Sequence, residues 1–130
     1  MLELKLNHNY NKEVNLNNHR MRLIRHKRTR KKVIGTKDKP RLSVFRSLNH
    51  IYAQIINDDN GSTLLQANSI ELKSTKTQTK TNIAEEVGKL LGQRAKEKKV
   101  KKVVFDKGGY KYHGRIKALA NSVRKEGVKF

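Results

Sequence analysis

Apolar residues are sparse over the first forty positions and then fall into short periodic runs. From Arg41 to Ser47 they alternate with polar ones. Leu42 and Val44 point one way and Arg41, Ser43, Phe45 and Ser47 the other, which is the two-residue period of a half-buried strand. His50 to Asn57 repeats the pattern, with Ile51, Ala53 and Ile55 on one face and His50, Tyr52, Gln54 and Ile56 on the other. Leu48-Asn49 suits a tight hairpin between the two runs. Asp58-Asp59-Asn60-Gly61 is a turn leading to a third strand near Ser62 to Asn68. These runs predict an antiparallel meander.

The period then changes. Ser74 to Lys80 is a Thr/Lys/Gln loop with no periodicity. Beyond it Ile83, Val87, Leu90, Leu91, Arg94 and Ala95 recur at helical spacing, with Thr81 or Asn82 as N-cap and Glu85 and Glu86 in the first turns. Val100 to Asp106 predicts a fourth strand, since the run Val103-Val104-Phe105 marks burial on more than one side. After Gly108-Gly109 a second helix is expected from about His113 to Lys125, with Ile116, Leu119, Ala120 and Val123 on one face and Gly127 ending it.

The order is β-β-β-α-β-α. A helix before the last strand implies a crossover that lays strand four parallel to a meander strand, expected to be the first. The fold class is therefore α/β, a mixed four-stranded sheet with both helices on one face. The other face would stay open, displaying Arg41, Ser43, Phe45, His50, Tyr52 and Gln54.

Composition adds an arm to this picture. At 130 residues the chain has room for one domain and an extension. The expected organisation is a disordered polar extension over 1–19, a basic arm over 20–38 and a folded domain over 39–130. Six of the first twenty residues are Asn, and that stretch has neither the apolar core of a signal peptide nor the Arg/Ser bias of a transit peptide. Eight of the thirteen residues from Arg20 to Lys32 are Lys or Arg and none is acidic. Lys12 to Lys32 is expected to form a helix once that charge is neutralised, broken by Gly35 and Pro40.

Charge names the class of partner. The formal net charge is +20, from 31 Lys and Arg against 11 Asp and Glu. So dense a run of like charge repels itself and needs a polyanion, which points to nucleic acid. A membrane surface is disfavoured because Arg20 to Lys32 lacks the broad apolar face of an interfacial helix. No stretch approaches the roughly 20 apolar residues of a membrane span. The chain has no Cys, which excludes disulfides, thiolate chemistry and Cys-based zinc sites.

Two regions carry candidate chemistry. On the open face, rings can stack bases or riboses while Arg and Ser bind phosphate or the 2′-hydroxyl. The plainer alternative is that Phe45 and Tyr52 form a cross-strand pair in a second small core layer. The other region runs from Asp106 to Arg115, where glycines and a helix start favour an anion. It also reads as an ordinary strand-to-helix loop whose glycines supply positive φ. The glycines lack the Gly-Lys-Ser/Thr ending of a nucleotide-binding loop. His8, His19, His26, His50 and His113 are scattered without ligand spacing, so no metal is expected. Asp58, Asp59, Glu85, Glu86 and Asp106 fall in separate elements, so no carboxylate pair is expected to converge for phosphodiester cleavage.

Four blocks carry a family resemblance: Lys39-Pro40-Arg41-Leu42-Ser43-Val44-Phe45-Arg46-Ser47; His50-Ile51-Tyr52-Ala53-Gln54-Ile55-Ile56; Lys102-Val103-Val104-Phe105-Asp106-Lys107-Gly108-Gly109; and Tyr112-His113-Gly114-Arg115-Ile116-Lys117-Ala118-Leu119-Ala120. In order and spacing they closely resemble family eighteen of the large ribosomal subunit, the bacterial and plastid 5S rRNA-binding protein, from about Arg20 to Phe130. The resemblance implies a ribonuclease-H-like strand arrangement without nuclease activity, and no cofactor or small-molecule substrate. It implies 5S rRNA and 23S rRNA as partners in the central protuberance, beside neighbours such as the family five 5S-binding protein. The location would be the ribosome of a bacterial cytoplasm or plastid stroma.

Carried over by position, RNA contacts are expected from Arg20, Arg22, Arg25, His26, Lys27, Arg28, Arg30, Lys31 and Lys32 in the arm. The strands would add Arg41, Ser43, Phe45, Arg46, Ser47, His50, Tyr52 and Gln54. The loop would add Gly108, Gly109, Tyr110, Tyr112, His113, Gly114, Arg115 and Lys117. Met1 to His19 and Ser74 to Lys80 depart from the family pattern. The competing class is a general basic nucleic-acid chaperone or DNA-compacting protein, which composition alone permits.

Overall fold

The computed structural model describes residues 2–72 and 78–130, with side chains described from residue 15 onward. Three antiparallel strands, β1 (Arg41–Arg46), β2 (Ile51–Asn57) and β3 (Ser62–Asn68), are followed by a single 3₁₀ turn over Ser69–Glu71. Helix α2 (Lys80–Glu97), strand β4 (Val104–Asp106) and helix α3 (Arg115–Lys125) complete the domain. The sheet order is β3-β2-β1-β4, and β4 runs parallel to β1. The α/β class, the mixed sheet and the crossover all agree with the sequence pattern.

Register explains the two faces. Ala53 lies opposite Val44 and Ala67, and Ile55 opposite Leu42 and Leu65, so the small and branched side chains of three strands share one side. They form one core with Val87, Leu91 and Ala95 of α2 and Ile116, Leu119 and Val123 of α3. The two helices approach closely at Gly88, where an added Cβ would lie 2.5 Å from the Leu119 carbonyl oxygen. Both therefore cover the same side of the sheet.

The starts of α2 and β4 differ from the pattern. Helix α2 begins earlier because Thr79, rather than Thr81 or Asn82, caps it, its hydroxyl accepting from the Asn82 amide. Of the aperiodic Ser74–Lys80 segment, 74–77 lies outside the described residues. Strand β4 has three residues, not the seven from Val100. The Val104 amide donates to the carbonyl of Pro40, which has no N–H to extend the ladder with β1. Before that point the chain bonds instead to the C-terminal segment, through a parallel bridge between Lys102 and Lys129.

The N-terminal helix α1 spans Leu2–Arg30. It starts earlier than Lys12 and shows no boundary between the polar extension over 1–19 and the basic arm. The first 34 residues contain neither Gly nor Pro, so nothing in the backbone breaks the helix before Gly35.

Candidate nucleic-acid interface

The side of the sheet away from α2 and α3 carries the expected constellation. Ser43 lies opposite Gln54 and Phe45 opposite Tyr52. The Phe45 and Tyr52 ring centroids are 5.9 Å apart, so the cross-strand pair of the plainer reading exists. Among the described residues no second core layer closes over it, however, and Phe45 is 50% exposed. His50 sets an edge toward Tyr52 at 6.4 Å and shares a 3.0 Å hydrogen bond with the Ser69 hydroxyl. Ser43, Phe45, Ser47, Tyr52 and Gln54 line a shallow cleft.

Arg41 does not belong to this open surface. It is buried, with Nε and Nη2 donating to Asp58 at 2.9 and 3.0 Å and Nη1 donating to Asp106 at 2.8 Å. Asp58 also accepts from the Gly35 amide and Asp106 from the Gly108 amide. Hence two carboxylates expected to stay apart do converge, but on an arginine that neutralises them. The Arg41 hydrogen bonds chiefly hold Asp58 below the ordinary carboxylate range. Burial would raise Asp106, yet the Gly108 amide, His26 and Arg41 together outweigh it and leave that carboxyl lowered too. Parity placed Arg41 on the open side correctly; what parity omits is the arm that covers that corner.

The arm seats on the loop after β4. Gly108 and Gly109 have φ of 68° and 79°, in the left-handed region that favours glycine. The α1 backbone sits directly on Gly109, where an added Cβ would collide with the Arg22 carbonyl oxygen. Arg22 Nη1 donates to the Gly108 carbonyl at 2.9 Å and Arg25 Nε to the Gly109 carbonyl at 3.1 Å. His26 Nε2 lies 3.0 Å from Asp106. Tyr110 is buried, its hydroxyl donating to the Arg46 carbonyl. The guanidinium carbons of Arg22 and Arg46 are each 4.8 Å from its ring centroid.

This sorts the expected contacts by position. Arg22, Arg25, His26, Arg30, Arg41, Gly108, Gly109 and Tyr110 are engaged within the protein. Arg30 bonds to the Val33 carbonyl and approaches Asp58 at 3.6 Å. Arg20, Lys27, Arg28, Lys31 and Lys32 are exposed, as are His113, Gly114 and Lys117. Tyr112 is partly held, its hydroxyl accepting from Arg124 at 2.8 Å while its ring meets Phe105 edge-on. Arg115 Nη1 donates to the Ser47 carbonyl at 3.0 Å, tying the start of α3 to the β1–β2 hairpin. Arg124 and Phe130, whose ring stacks on Phe105 at 5.4 Å, join this cluster without any short-range sequence signal.

A basic helix docked beside a ring-bearing open sheet face defines an RNA-binding domain with a cationic arm. Residues 16–130 match the family described as ribosomal L18 of archaea, bacteria, mitochondria and chloroplast. The chain is 54% identical to the large ribosomal subunit protein uL18 of Caldicellulosiruptor saccharolyticus, over 88% of this chain and 95% of that one. The uL18 proteins of Thermotoga petrophila and Staphylococcus aureus are 56% and 48% identical, over 84% and 88% of this chain and 92% and 97% of theirs. The chain belongs to this ribosomal family. It is a structural, RNA-binding protein and not an enzyme.

Proposed function

We propose that the protein, a structural constituent of the large ribosomal subunit that binds 5S rRNA, does so through two neighbouring surfaces. One is the open sheet face of Ser43, Phe45, Ser47, His50, Tyr52 and Gln54. The other is the outer side of the arm with Arg20, Lys27, Arg28, Lys31 and Lys32. The observation that carries the reading is the uncovered Phe45–Tyr52 pair lying on the same side of the sheet as the docked arm. Rings, hydroxyls and an amide suit unstacked bases and riboses, while the arm supplies phosphate neutralisation. His113, Gly114 and Lys117 extend the surface beyond the loop.

In this reading the sheet is ribonuclease-H-like, supported by the order β3-β2-β1-β4 with β4 parallel to β1. The protein attaches 5S rRNA to 23S rRNA in the central protuberance of a bacterial or plastid ribosome, beside the family five 5S-binding protein. The test is binding to folded 5S rRNA against an unrelated RNA of equal length across a salt series. A 5S preference that persists at physiological salt supports the assignment. Equal affinity that vanishes as salt rises leaves a general polyanion binder.

A further inference from the structure

Four cations meet where the arm, the β1–β2 hairpin and the starts of α2 and α3 come together. Arg22, Arg46, Lys80 and Arg115 line a cleft of about 400 Å³ together with His19. The apolar lining comes from Phe45, Leu48 and Tyr110, and none of the described lining residues is Asp or Glu. Neither Lys80 nor His19 is among the RNA contacts expected from the sequence.

The way these cations are held sets the cleft apart from the Arg41 site. Arg41 has two carboxylates. Here, among the described residues, the guanidiniums are positioned by neutral groups: Arg22 by the Gly108 carbonyl, Arg22 and Arg46 by the Tyr110 ring, and Arg115 by the Ser47 carbonyl. Their orientation is fixed, and no carboxylate among the described residues compensates their charge. Burial, and then the neighbouring charge of Arg46, lower the proton affinity of Arg115. Its Nε is buried with no hydrogen-bond partner, which is true of no other buried side-chain nitrogen or oxygen among the described residues. Buried donors without acceptors are rare in folded proteins, and an unmet one beside three further cations calls for an anion.

We propose that this cleft seats a single phosphate group, with Arg115 Nε–H as the inner donor and Arg46 and Lys80 closing on it from the hairpin and from α2. A phosphate provides several strong acceptors for a fork of guanidinium donors. The ligand is a backbone phosphodiester of the bound RNA, a step that rests on the function proposed above. The seat itself does not rest on it, since free inorganic phosphate has the same acceptor chemistry.

Two arms separate the seat from the source. In the first, inorganic phosphate is titrated into the full chain at constant ionic strength, with the arginine Nε–H resonances followed by NMR. A saturable shift at Arg115, larger than that of the exposed Arg28 and lost in an Arg46→Gln/Lys80→Gln variant that still melts cooperatively, supports the seat. A shift at Arg115 that matches Arg28 and does not saturate overturns it. In the second arm, Lys80→Gln, at an exposed position, is compared with wild type for 5S rRNA binding against salt. A slope reduced by about one ion supports an RNA phosphate as the occupant, and an unchanged slope overturns that source. Failure of the general function would show as no RNA preference by the wild type, an outcome independent of the phosphate titration.

Discussion

Arg41 Nη1 donates to Asp106 Oδ2 at 2.8 Å across the β1–β4 pair, with Arg41 8% and Asp106 0% exposed. The same guanidinium holds Asp58 on its other side, and the same carboxylate meets His26 of the arm. A turn, two strand ends and the N-terminal helix are thus joined through one arginine.

Removing one member of this group leaves charge buried without its partner. Asp106→Ala or Arg41→Met is expected to cost about 3–5 kcal/mol, a large part of a typical domain's stability. The midpoint of urea unfolding measures it. An unchanged midpoint would mean that the pair is not held in the folded protein.

Acid should weaken the fold through the same carboxylates. Asp58 and Asp106 have folded values below the ordinary 3.8. For depressed groups the stabilisation is complete above the unfolded value and is lost as pH falls through the folded one. The melting temperature is therefore expected to be level above roughly pH 5 and to drop on further acidification. Asp58→Asn should start lower and fall less steeply.

Gly109→Ala should release the arm while sparing the domain. The added methyl meets the Arg22 carbonyl, and alanine at φ of 79° is strained by about 1–2 kcal/mol. Tryptic cleavage within Arg20–Lys32 should accelerate roughly 5- to 30-fold with little change in melting. Gly108→Ala should act differently, because its methyl would lie 2.5 Å from the Val44 carbonyl oxygen and strain β1 itself. Equal protease sensitivity in wild type and Gly109→Ala would show that the glycine is not the seat of the helix.

Phe45→Ala and Tyr52→Ala separate ligand binding from internal pairing. Loss of base stacking costs about 1–3 kcal/mol in RNA affinity, while the cross-strand pair contributes roughly 0.2–1 kcal/mol to stability. The affinity loss for 5S rRNA should exceed the stability loss from thermal melts. Equal losses would mark the pair as purely structural.

Alternation and helical spacing made the strands, both domain helices and the ring-bearing face legible. Ser62–Asn68 is a strand at the expected limits, and Ser43, Phe45, Tyr52 and Gln54 share a side as their parity requires. Period-two parity, however, says which side a residue occupies and not what lies over it. Arg41 is buried at a corner where Asp106 also meets His26, 80 residues away from it in sequence, a relation no local window contains. The meeting of Asp58 with Asp106 and of Phe105 with Phe130 depends likewise on packing between distant segments. The shortening of β4 had a local cause in Pro40, visible only once its partner strand was known.

The Arg22–Gly108 contact spans 86 positions, which gives the molecule a chronology. Synthesis proceeds from the N-terminus at about 5–20 residues per second, so the basic helix precedes its glycine seat by roughly 4 to 17 seconds. During that interval Arg22 and Arg25 lack the glycine carbonyls that later hold them, and His26 lacks Asp106. A nascent chain therefore presents the arm without the contacts that orient it. Closure of the Gly108–Gly109 loop onto α1 is the event that orients Arg22 and Arg25 and ties His26 to Asp106.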